Sequence, residues 1–138
     1  MLIEVDWTHL DENYRHPLWK SGLCLYAYLH PAQDWLLYVG KADFATVRSR
    51  MRGDHKAQLW RDLWRRYRIE DVRVMHGALV LDGRRTSQIL ADVESLLIKR
   101  LAPFGNIQAR RSRISRRGMR VHCIGEWPFV KFRFHDVD

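Results

Sequence analysis

Leu23-Cys24-Leu25-Tyr26-Ala27-Tyr28-Leu29, then His30-Pro31-Ala32-Gln33-Asp34, then Trp35-Leu36-Leu37-Tyr38-Val39-Gly40 is the stretch that decides the fold. In the first run Leu23, Leu25, Ala27 and Leu29 alternate with Cys24, Tyr26 and Tyr28, the period of two that gives a strand two different faces. The pentapeptide after it is a turn. Trp35 to Val39 is apolar enough for a second strand buried on both faces, and Gly40 ends it. Strands joined so closely form an antiparallel hairpin.

Working outward, a helix is expected from about Thr46 to Arg52 and another from His55 to Arg68. In the second, Leu59, Trp60, Leu63, Trp64 and Tyr67 recur at helical spacing and read as core. Val72 to Leu81 alternates as a third strand, closed by Asp82-Gly83. Thr86 or Ser87 can cap a helix that runs to Leu101, before Pro103. Residues 1–20 are mixed and acidic, and are expected to wrap the core as a short helix or extended arm. Residues 107–118 are polar and basic. Met119 to Ile124 and Phe129 to Phe134 read as a C-terminal β-hairpin around Gly125-Glu126-Trp127-Pro128. The order is an α+β sandwich of a short sheet with helices.

At 138 residues, with 46% hydrophobic and 29% charged side chains, the chain is one ordered domain, 1–138, not a disordered segment. The uncharged run Trp35 to Gly40 is far too short to span a bilayer. Glu4 and Asp6 close behind Met1 do not resemble a secretory signal. Cys24 and Cys123 lie in apolar stretches and read as buried free thiols, so a cytoplasmic location without a membrane partner is expected. No Cys/His spacing suggests zinc.

Charge narrows the partner. Residues 1–47 hold three basic and six acidic side chains, residues 48–98 eleven and seven, and residues 99–138 ten and three. Nineteen of the 24 cations are arginine, whose planar fork suits phosphate oxygens. A polyanion, above all nucleic acid, is the partner this distribution favours, against a merely basic solvated surface.

Single residues narrow the chemistry. Glu94 has Leu90, Leu97 and Ile98 as its helical neighbours, so its carboxylate lies at the margin of an apolar stripe. Burial there is costly unless the charge is paired or ligates a metal. A carboxylate reaching solvent at the stripe's edge is the competing explanation. Tyr26 and Tyr38 come close across the hairpin, although two tyrosines in a sheet are ordinary. Beyond them Lys41, Arg48, Arg50, Arg52 and His55 form a dense cationic set.

Cys24-Leu25-Tyr26, Tyr38-Val39-Gly40-Lys41, Val47-Arg48-Ser49-Arg50-Met51, His55, Glu94 and Pro103-Phe104-Gly105-Asn106 together resemble the GIY-YIG nuclease family in order and spacing. The likeness covers residues 23–106. It departs at Cys24 and Leu25, which stand for the family's glycine and isoleucine. The resemblance implies a short three-stranded antiparallel sheet flanked by helices, here with an N-terminal arm and a C-terminal hairpin. It also implies a divalent-metal-dependent endonuclease acting on DNA, with RNA not excluded. A catalytically silent nucleic-acid-binding domain of the same fold is the alternative.

The resemblance assigns roles residue by residue. Tyr26 is placed near the attacking water, with Tyr28 on the same face as fallback, and Tyr38 lines the site. Lys41 matches a lysine seen after the motif glycine. Arg50 is preferred over Arg48 as the arginine at the phosphate, because Val47-x-x-Arg50-Met51 fits the family pattern. Asp54 holds the position where the family often has His or Tyr, and His55 is one further on. Glu94 is the ligand for one Mg²⁺ or Mn²⁺, and Asn106 braces the site. Arg48 and Arg52 are expected on the DNA. Arg110, Arg111, Arg113, Arg116 and Arg117 are expected to track its backbone, a disordered basic loop being the competing reading. So short a chain leaves room for a second copy or a partner to confer specificity.

Overall fold

The computed structural model describes residues 1–53, 56–106 and 118–137. The chain opens with Leu2–Leu10 (β1), passes a 3-10 helix at Pro17–Lys20, and continues through Cys24–Leu29 (β2) and Leu36–Ala42 (β3). Val47–Met51 (α1) and Ala57–Tyr67 (α2) follow, then Arg73–Val80 (β4), Ser87–Leu101 (α3), Arg120–Gly125 (β5) and Arg133–His135 (β6). The strands make one six-stranded sheet in the order β3-β2-β4-β1-β5-β6. The β1–β5 pair is parallel and the other four pairs are antiparallel.

This overturns the expected three-stranded antiparallel sheet with an N-terminal arm. The sheet is six-stranded, mixed and curled. The antiparallel trio β3-β2-β4 is only one half of it. The supposed arm is β1, an interior strand between β4 and β5. Ile3, Val5 and Trp7 are fully buried, while Leu2, Glu4, Asp6 and Thr8 take the alternate positions. The acidic residues thus occupy the outward face of a strand and do not mark a solvated segment. The C-terminal hairpin pairs as β5 with β6, but it extends the same sheet, and its connection spans 126–132.

Two cores lie on opposite faces. On one, Ile3, Val5 and Trp7 of β1, Leu25, Ala27 and Leu29 of β2, and Met75 and Leu79 of β4 pack against Leu90, Val93, Leu96 and Leu97 of α3. On the other, Cys24, Tyr26 and Tyr28 of β2 pack with Val47 of α1 and Leu59 and Leu63 of α2. Each fully buried aliphatic side chain contributes about 2 kcal/mol. Both cysteines are buried, which pushes each thiol up to about 12.

Caps fix the helices that carry the candidate site. Thr46 Oγ1 accepts from Ser49 N and Ser49 Oγ accepts from Thr46 N, a reciprocal box that starts α1. Thr86 Oγ1 accepts from Ile89 N at the start of α3. Ala102, left-handed at φ 47°, ends α3 just before Pro103. Among the described residues no helix is long and apolar enough to cross a membrane.

Candidate active site

The β2–β3 register sets Tyr28 opposite Tyr38 and Tyr26 opposite Gly40. A side chain at Gly40 would collide with the Tyr26 ring, so this glycine is what lets the ring lie across the neighbouring strand. The pairing slips between Tyr28 and Leu29, and Leu37 joins the aromatic face beside Tyr38. Three tyrosines result, with ring centroids 5.3 Å apart for Tyr28–Tyr38, 5.4 Å for Tyr26–Tyr28 and 6.1 Å for Tyr26–Tyr38. Trp60 of α2 stacks on Tyr28 at 5.4 Å.

Lys56, at the N-terminal cap of α2, enters this cluster. It is 2% exposed, and its Nζ donates to Tyr26 Oη at 2.7 Å. The ammonium lies 4.9, 5.8 and 5.5 Å from the ring centroids of Tyr26, Tyr28 and Tyr38, within reach of their negative faces. Burial pushes Lys56 down to about 8; the Arg50 charge adds to this and the Glu94 carboxylate opposes it. The family assignments passed over Lys56. A signal for it exists in the sequence: Lys56 precedes Leu59 and Leu63 at helical spacing, a charge in an apolar stripe, as Glu94 is in α3.

Glu94 reaches the same place from the opposite core's helix. Burial raises its carboxyl, while Lys41, Arg50 and Lys56 all pull it back. Among the described residues it makes no hydrogen bond or ion pair. Arg50 pulls down all three tyrosines, yet burial dominates and raises each of them. Tyr26 is therefore a phenol at neutral pH, which opposes a role as base. Arg50 Nε and Tyr28 Oη are buried without a hydrogen-bond partner in the described structure.

The structure thus brings Tyr26, Tyr38, Lys41, Arg50 and Glu94 together with Lys56 and Tyr28. Asn106 stands behind them. It is 3% exposed; its Oδ1 accepts from Val39 N at 2.8 Å and its Nδ2 donates to Val39 O at 2.9 Å. One side chain thereby satisfies both outward groups of Val39 on the edge strand β3. Arg48 points elsewhere: its guanidinium lies 4.7 Å from the Tyr14 ring centroid. Arg52 is exposed. His55, Arg110, Arg111, Arg113, Arg116 and Arg117 lie outside the described residues.

No family model, curated protein or solved structure matches the chain. What the site can do rests on its own chemistry. Among the described residues no three His, Cys, Asp or Glu side chains gather as a metal site. A lone, half-buried carboxylate without a direct partner suits one divalent ion whose remaining ligands are water.

Proposed function

We propose that the protein is a divalent-metal-dependent endonuclease of the GIY-YIG type acting on DNA. One observation carries this reading. A half-buried carboxylate, three cations and three tyrosines, drawn from two strands and three helices, meet at one place on a chain of net charge +8. A core of packed residues needs no such set, whereas phosphodiester hydrolysis uses a positioned water, fixed cationic charge and a carboxylate for a metal ion.

In this reading Arg50 and Lys41 supply fixed positive charge beside the phosphoryl oxygens, where negative charge grows. Arg50 Nε is buried without an acceptor in the described structure, so the fold itself does not use this donor. Lys56 holds Tyr26 by its oxygen and fixes the phenol in place. Tyr26 stays protonated through burial, so it positions water and does not take its proton. Tyr38 lines the site and Asn106 holds β3 in place behind it. Glu94 would hold Mg²⁺ or Mn²⁺, which when bound supplies Lewis-acid charge for a phosphoryl oxygen and the departing oxygen. The arginines of residues 110–117 would follow the DNA backbone, a part that rests on the sequence alone.

A supercoiled-plasmid assay with Mg²⁺, Mn²⁺ or EDTA tests the reading. Nicks with either metal and none in EDTA are expected. Retardation without cleavage under all conditions would show a silent binding domain, and neither effect would remove nucleic acid as the partner. Parallel reactions on RNA separate the two substrates.

A further inference from the structure

Phe44 is 95% exposed, and its backbone is left-handed at φ 56°. A bulky residue avoids that region unless its surroundings enforce it. Here they do. Asp43 Oδ1 accepts from Ser87 Oγ of α3 at 3.1 Å, Thr46 is locked in the reciprocal cap of α1, and Val47 N donates to Ser21 O at 3.1 Å. A fixed loop therefore holds an aromatic ring out into solvent.

The position is informative. Lys41 precedes Phe44 by three residues and Arg50 follows by six, and both charges act on Glu94. Asp43, next to Phe44, bonds Ser87, which lies two turns before Glu94 on one face of α3. Among the described residues nothing packs against the ring. An aromatic face beside a phosphate-binding cluster is what a nucleobase stacks on, and apolar wedges between base steps unstack and kink duplexes.

We infer that Phe44 is a wedge that stacks against an unstacked base of bound DNA, so that the enzyme favours duplexes already loosened there. This rests on the nuclease reading and adds a substrate class to it.

The test uses short duplexes with 2-aminopurine at successive positions, matched or mismatched, bound in EDTA, with Mg²⁺ nicking run alongside. The wild type should brighten 2-aminopurine at one or two adjacent positions and bind the mismatched duplex more tightly. Phe44→Asn suits the left-handed backbone, so it should melt no lower than wild type. It should lose the brightening and bind roughly tenfold more weakly, in line with one lost stacking contact. Phe44→Trp should restore both. If the wild type nicks DNA while Phe44→Asn matches it in affinity and brightening, the wedge is wrong and the nuclease reading stands. If the wild type neither binds nor nicks DNA, both fall.

Discussion

Lys56 is a cation buried among three phenols, and its depressed pKa makes a thermodynamic prediction. Its folded pKa of about 8 lies below its ordinary value of 10.5. Between those values the unfolded chain binds more protons, so this residue's contribution to stability rises with pH. From pH 8 to 10 the wild type should gain about 2 kcal/mol relative to Lys56→Met, read from urea midpoints. Parallel curves would show that the ammonium is not desolvated as the structure has it. The arginines make a second prediction. Arg50→Ala should slow cleavage by at least about a hundredfold, the scale of losing one preorganised charge. Arg48→Ala should do far less, because its guanidinium stacks on Tyr14. Rates measured at saturating protein decide it, and the reverse ranking would mean that α1 presents the other arginine. Glu94 was legible in the sequence because it breaks the apolar stripe of α3, whereas Tyr26 and Tyr38 are ordinary strand residues that stand out only through the motif resemblance. Lys56 is less visible, because it sits at the cap of α2, one turn before the apolar stripe that begins at Leu59.

At the scale of elements, β3 is an edge strand, and the outward groups of its Val39 depend on one side chain. Asn106→Ala leaves Val39 N–H and C=O without their partner, and should cost about 2–4 kcal/mol in thermal or urea unfolding. Asn106→Asp separates hydrogen bonding from volume. At neutral pH a carboxylate would face the Val39 carbonyl, whereas a protonated carboxyl donates to it. That variant should recover stability as pH falls, and equal loss at all pH values would contradict the account. The hairpin and α3 were readable because their periods of 2 and 3.6 are local. The alternation of Ile3, Val5 and Trp7 was just as regular. Its acidic partners disguised it, and its parallel pairing with β5 at the far end of the chain leaves no local trace.

For the whole molecule, the interior position of β1 means that the region 23–106 is not a unit on its own. β1 joins β4 to β5, and α3 packs across both halves. Burial of Ile3, Val5 and Trp7 alone is worth about 5 kcal/mol or more, comparable with the full stability of many domains. Deleting residues 1–10 should therefore abolish cooperative unfolding by circular dichroism, where loss of a mere arm would leave it intact. The same architecture explains how groups from opposite faces of the sheet meet. β3 is the edge strand, so Glu94 on the α3 side shares one end with Arg50 and Lys56 on the α1–α2 side. Single-turnover cleavage by Glu94→Gln, with DNA retardation measured on the same samples, tests that convergence most directly. The account predicts wild-type retardation and cleavage at least about a hundredfold slower, since a neutral amide is a far poorer ligand for a divalent cation. Cleavage at the wild-type rate, with contaminating nuclease excluded, would contradict it.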